Sequence, residues 1–107
     1  MVYYVESAGQ KTWWTDGLSE SEFASVSAKW IFKFANNSTG ILSNSNSAWS
    51  GDELDISFII HDDFFTPSRA GPCTHQIIIY DSDSNPIYYS QEYSDEVRHP
   101  ILKKSEA

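Results

Sequence analysis

The residues whose types and spacing most suggest chemistry lie in the stretch DSDSNPIYYSQE, Asp81 to Glu92. It reads D-x-D-x-N-P-x5-E, against D-x-[DN]-x-[DN]-G-x5-E for an EF-hand calcium loop. Calcium takes about six to eight oxygen ligands. Asp81, Asp83 and Asn85 stand at the spacing of the first three side-chain ligands, and Glu92 stands where the closing carboxylate belongs. The sixth position breaks the pattern. The loop turns sharply there on Gly, whereas Pro86 holds φ at about −65° and cannot take the positive values open to Gly. The flanks, HQIIIY and IYYSQEY, are β-branched and aromatic rather than helical. If Ile87 onward is extended at about 3.3 Å per residue, Glu92 ends roughly 17–20 Å from Asn85. The expected structure is an acidic hairpin tip closed by Asx-turns. Asp81, Asp83 and Asn85 remain as a weak candidate calcium site, and no other cofactor is expected.

A second cluster of polar groups runs from His61 to His75 in HDDFFTPSRAGPCTH. His61, Asp63 and His75 are the ligand types of a divalent transition metal. Cys73 and His75 are the types of a nucleophile–base pair. No recognised metal or nucleophile motif frames either set. The simpler reading is a loop between strands, shaped by Pro67 and Gly71-Pro72, and a protein without catalytic activity. Loops on a β scaffold commonly carry binding. Phe64 and Phe65 are neighbours that face opposite ways in extended chain, so one of them is free to meet a partner beside Asp62, Asp63 and Arg69. Trp13, Trp14 and Trp49 lie in polar, turn-rich sequence, where an exposed indole can stack on a sugar or anchor a protein.

Charge narrows the partners. The 107 residues carry a net charge of −8. Between Phe34 and Val97 ten carboxylates face one base, Arg69. Such a field repels phosphate backbones, so direct nucleic-acid binding is disfavoured, while cations, basic proteins and neutral ligands stay open. One cysteine allows no internal disulfide. MVYYVESAGQ lacks the basic and apolar segments of a signal peptide. Both observations favour a cytoplasmic setting. No apolar run is long enough for membrane insertion.

These candidates need elements to position them. SAKWIFKF alternates at period two, with Ala28, Trp30, Phe32 and Phe34 on one face, and LDISFIIH places Leu54, Ile56, Phe58 and Ile60 likewise. HQIIIYD is apolar on both faces, as in a central strand covered on both sides or one near a partner. VYYVES, KTWWT and IYYSQEY supply further strands, separated by turns at Asp16-Gly17, Asn36 to Gly40, Ser50 to Asp52, Pro67 to Pro72 and Asp81 to Pro86. Ser19 and Glu22 form a capping-box pattern, so a short helix near residues 19–27 competes with the strand pattern. Lys29 and Lys33 sit on an outer face and would pair with Asp55 if the two strands were neighbours.

The expected fold is therefore all-β: one antiparallel β-sandwich domain over residues 1–107, immunoglobulin-like in general architecture. It has six to eight short strands and a frayed tail at residues 100–107. The expected core is Trp30, Phe32, Phe34, Leu54, Ile56, Phe58, Ile60, Ile77 and Ile79. The stretch THQIIIYDSDSNPIYYSQ resembles the last strand pair of fungal immunomodulatory proteins, which are small acidic lectin-like sandwiches. The resemblance covers under a fifth of the chain, and the spacing upstream does not follow that family. The expected function is a soluble, non-catalytic binding module for a protein or carbohydrate ligand, free to form a homo-oligomer. The alternatives are an acidic inhibitor or immunity-type protein that blocks a basic surface, and a calcium- or transition-metal-dependent domain.

Overall fold

Alternating side chains dictate what the chain builds. In a computed structural model, which describes residues 2–23 and 25–100, nine strands form. They are β1 (Val2–Tyr4), β2 (Gly9–Thr15), β3 (Ser27–Lys33), β4 (Thr39–Ser43), β5 (Asn46–Ser50), β6 (Glu53–Ile60), β7 (Gly71–Tyr80), β8 (Pro86–Tyr89) and β9 (Tyr93–Arg98). One sheet runs β1-β9-β7-β3-β4, with β8 also paired to β7, and the other runs β2-β6-β5. The fold is thus an all-β sandwich. Its strand number exceeds the expected six to eight, because the chain breaks pairing at Asn44-Ser45, between β4 and β5, and again at Ser90 to Glu92, between β8 and β9. One pairing departs from the antiparallel rule: β1 lies parallel to β9, with Tyr3 opposite Val97.

All nine expected core residues are buried. They are joined by residues whose burial the local pattern did not give, including Tyr3, Leu42, Phe65, Cys73 and Val97. Phe32 lies at the centre of the aromatic packing. Its ring stacks on Phe34 at 5.8 Å and meets Tyr3, Phe64 and Phe65 edge-on at 5.4–5.7 Å. Gly40, opposite Phe32 on β4, is small because space demands it. A Cβ there would lie 2.8 Å from the Phe64 ring and 2.9 Å from Phe34.

Several expectations need correction. Residues 19–23 form a single turn, in which the Glu22 and Phe23 amides donate to Ser19 O, and the described residues of 19–27 hold no helix. Strand pairing wins: Ser27, Ala28 and Lys29 are taken by β7 opposite Tyr80, Ile79 and Ile78. β7 is central as expected, but only one of its faces is covered, since Ile78 and Tyr80 are half-exposed. Lys29 and Lys33 do not meet Asp55, because β3 pairs with β4 and β7 while Asp55 lies in the other sheet. Lys29 instead sits over the Tyr80 ring at 5.6 Å. Of the expected frayed tail, residues 101–107 lie outside the described residues.

The strands that change sheet explain the molecule's open side. β4 passes into β5 at Asn44-Ser45, pinned by Asn44 N–H to Ala28 O and Ser45 N–H to Ser57 O, which joins one edge of each sheet. The other two edges are β1 and β2, which join at Val5 to Ala8. There the Val5 amide donates to Arg98 O and the Glu6 amide to Phe65 O, with Glu6 at a φ of +64°. β1 is only three residues long, so among the described residues β2 runs on with no strand beside its second edge.

The Glu6–Phe65 bond and the Phe65 ring make the β6–β7 loop a structural plug. Replacing Phe65 by Ala is expected to cost about 3–5 kcal/mol by leaving a core cavity. Urea unfolding would show this as a lower midpoint with an unchanged slope. A loss below about 1 kcal/mol, the size of an ordinary surface change, would place Phe65 outside the core.

Candidate functional site

The residue types that could do chemistry do not gather where the sequence motifs lie. Asp81 Oδ1 accepts hydrogen bonds from the backbone amides of Asp83 and Asn85, at 3.0 and 2.9 Å. Asp81 N–H in turn donates to Asn85 O, and Ser84 takes a φ of +65°. The turn therefore uses the Asp81 carboxylate for its own amides. Glu92 lies beyond the Ile78–Tyr89 pairing, beside Thr74 and Gln76, and does not return to Asp81. No three His, Cys, Asp or Glu side chains among the described residues form a group that could hold a metal.

The β6–β7 loop is also committed inward. Phe65 is fully buried, and Phe64 is half-buried and edge-on to it at 5.0 Å. Arg69 caps Phe64: its Nη1 donates to Phe64 O at 2.7 Å, and its guanidinium lies over the Phe34 and Phe64 rings. Asp62 and Asp63 are exposed beside it. The three tryptophans part company. Trp13 faces the core side and meets Tyr88 at 5.9 Å, Trp14 is exposed on the outer face, and Trp49 is half-buried. The Trp49 indole N–H is buried without an acceptor among the described residues.

His75, expected to open the strand HQIIIYD, is buried in the middle of the longer β7, away from any pairing with His61. The Trp30 indole N–H donates to its Nδ1 at 3.0 Å. Indole nitrogen can only donate, so Nδ1 is the acceptor and Nε2 carries the proton of the neutral ring. Nε2 lies 2.5 Å from Asp95 Oδ2. Both ring nitrogens are thus committed, and neither is left to act as a base for Cys73. That thiol is itself buried, and burial first, then the nearby Asp95 charge, pushes its pKa up, away from the reactive thiolate.

This Trp30–His75–Asp95 chain forms the floor of a cleft on the open side of the sandwich. The cleft holds about 360 Å³ and is lined by Lys11, Thr12 and Trp13 of β2, facing Tyr3, Ile77, Tyr93, Ser94 and the chain just described. A smaller hollow of about 240 Å³ continues toward the β1–β2 crossing, between Tyr4, Ala8, Gly9 and Ile60. Tyr3 and Lys11 line both. Burial above all, and then the charges of Asp95 and Cys73, raise the pKa of the Tyr3 phenol, so it stays neutral. Cavities of about 300–1,000 Å³ that mix aromatic walls with a few fixed polar groups are typical of ligand sites.

Sequence reading missed most of this wall, and one signal could have found it. Period two puts Lys11 on the same face as Trp13 and the buried Thr15. A charge on an inward face marks a place where the core is open.

No family model matches this chain, and no curated protein matches it in sequence.

The pH dependence of stability reports on the floor of the cleft. Burial opposes the Asp95 charge, but hydrogen bonding, to which His75 contributes, and charge attraction outweigh it and hold the carboxyl below its ordinary range. Stability from a depressed carboxyl is present above the unfolded value of about 3.9 and is lost as pH falls through the lower folded value. Asp95→Asn is therefore expected to cost about 1–3 kcal/mol at neutral pH. The difference from the natural chain narrows below about pH 4. Urea unfolding across pH checks this; a cost that stays constant into acid would contradict it.

Proposed function

We propose that this chain is a small, acidic, non-catalytic binding module that takes an extended segment of a protein partner along the free edge of β2. The observation that carries the reading is the edge itself. Among the described residues β2 pairs with β6 on one side only, and the cleft lies along its length. In an antiparallel pair, alternate residues direct their N–H and C=O groups away from the partner strand. An edge of this kind is a template for another strand, and adding one gives affinity through main-chain hydrogen bonds. Pockets beside the edge then give specificity through alternate side chains.

The non-catalytic part of the reading rests on His75, whose two nitrogens are engaged, and on Cys73, whose environment favours the inert thiol. The preference for protein over glycan rests on Trp13. Its ring is half-buried and packs tilted against Tyr88, which suits a wall for an inserted side chain better than an open platform for a sugar.

Selection from a displayed random-peptide library against the whole chain tests the proposal. Binders are expected, and N-methylating their backbones one residue at a time should abolish binding at every second position. Trp13→Ala, which strips the cleft wall, should weaken them by about 30-fold or more, the scale of an interface hot spot. Trp14→Ala, on the outer face, should leave affinity unchanged. Peptide binding indifferent to N-methylation, or glycan-array binding with no peptide selected, would overturn the reading.

A further inference from the structure

Building on the strand-addition reading, we infer that the partner segment has the pattern apolar–x–acid–x–apolar, with its central carboxylate on Lys11. Three residues of β2 face inward along the cleft: Gly9, Lys11 and Trp13. A strand added to this edge faces its own side chains the same way at every second residue. Opposite Trp13 the partner meets the larger hollow, walled by Ile77 and Tyr93, which suits an aromatic ring. Opposite Gly9 it meets the smaller one, walled by Ala8 and Ile60, which suits an aliphatic side chain. The two positions are four residues apart, about 13 Å along a strand. The residue between them falls opposite Lys11.

Charge decides what that middle residue is. Lys11 sits at the shared mouth of the two hollows and forms no ion pair among the described residues. The acid nearest the cleft floor, Asp95, is already bound to His75. A carboxylate on the partner completes the site, and opposite charges across a strand pair are favourable. The same cation excludes the other occupants. An inward-facing Lys on an edge strand opposes entry of an all-apolar strand. A second copy of β2, paired about Lys11, would set like charges against each other, which is destabilising.

Synthetic peptides carrying Tyr-x-Glu-x-Val in a Ser/Thr host, titrated into the whole chain and followed by tryptophan fluorescence, test the pattern. The Glu peptide is expected to bind at least tenfold more tightly than its Lys counterpart, with a preference that shrinks in high salt. Lys11 is exposed, so Lys11→Glu should fold, and it should reverse the preference toward Tyr-x-Lys-x-Val. Three results would overturn the inference. Library peptides that bind with alternating N-methyl sensitivity but no central acid would sink it while leaving strand addition standing. An unchanged preference in Lys11→Glu would do the same. A dimer in light scattering that Lys11→Glu disperses would assign the edge to a second copy. Failure of every peptide, selected or designed, would remove the parent reading as well.

Discussion

The position of His75 is the constraint on which the rest of the structure depends. A neutral imidazole in a core must satisfy two nitrogens of opposite character, one acceptor and one donor. Trp30 on β3 supplies the donor and Asp95 on β9 the acceptor, so one side chain on β7 fixes the lateral order of three strands. Four aromatic rings surround it: Phe32 stacked at 4.9 Å, Tyr93 stacked at 5.3 Å, Trp30 at 5.7 Å and Tyr3 at 5.8 Å. Hydrogen bonds set the register of this region, and ring packing supplies the buried area. Removing one member would leave a buried polar group unpaired, which costs more than the bond itself contributes.

That arrangement also explains why the cleft lies where it does. β9 is held against β7 by the Asp95 side chain, and β1 follows β9 in parallel for only three residues. The chain then crosses to the other sheet, where, among the described residues, β2 pairs with β6 alone. A sandwich closed by strand crossing at β4–β5 is therefore left open beside β2. The polar floor can sit at such an opening because its groups are mutually satisfied, and the walls can be aromatic because Trp13, Tyr3 and Tyr93 already pack against other rings. Rigid, amphipathic walls lose little entropy when a ligand arrives.

The loops that drew notice in the sequence are occupied with their own folding. Arg69 is a lid over Phe34 and Phe64, so the cation and aromatics of the β6–β7 loop satisfy each other. Asp81 holds the β7–β8 turn by its two amide bonds. These loops look functional in sequence because turns and ligand sites draw on the same residue types. What separates them is whether a polar atom already has a partner, and that is a three-dimensional fact.

The sequence by itself determined where most strands lie and the inward faces of the long ones. Alternation at period two is local, so Trp30, Phe32 and Phe34, or Leu54, Ile56, Phe58 and Ile60, could be assigned to a core without knowing what they touch. The acidic hairpin tip was legible for the same reason, since Pro86 forbids the calcium-loop turn within its own few residues. Where local signals conflicted, as at residues 19–27, pairing with a distant strand decided. Tertiary structure alone decided the site. Trp30 and His75 are 45 residues apart, and His75 and Asp95 are 20 apart. Tyr3 meets Lys11 across the cleft because a short parallel strand ends and its successor joins the other sheet. Contacts across such separations depend on which strands become neighbours, a choice made by the summed packing of the whole core and written in no single stretch of chain.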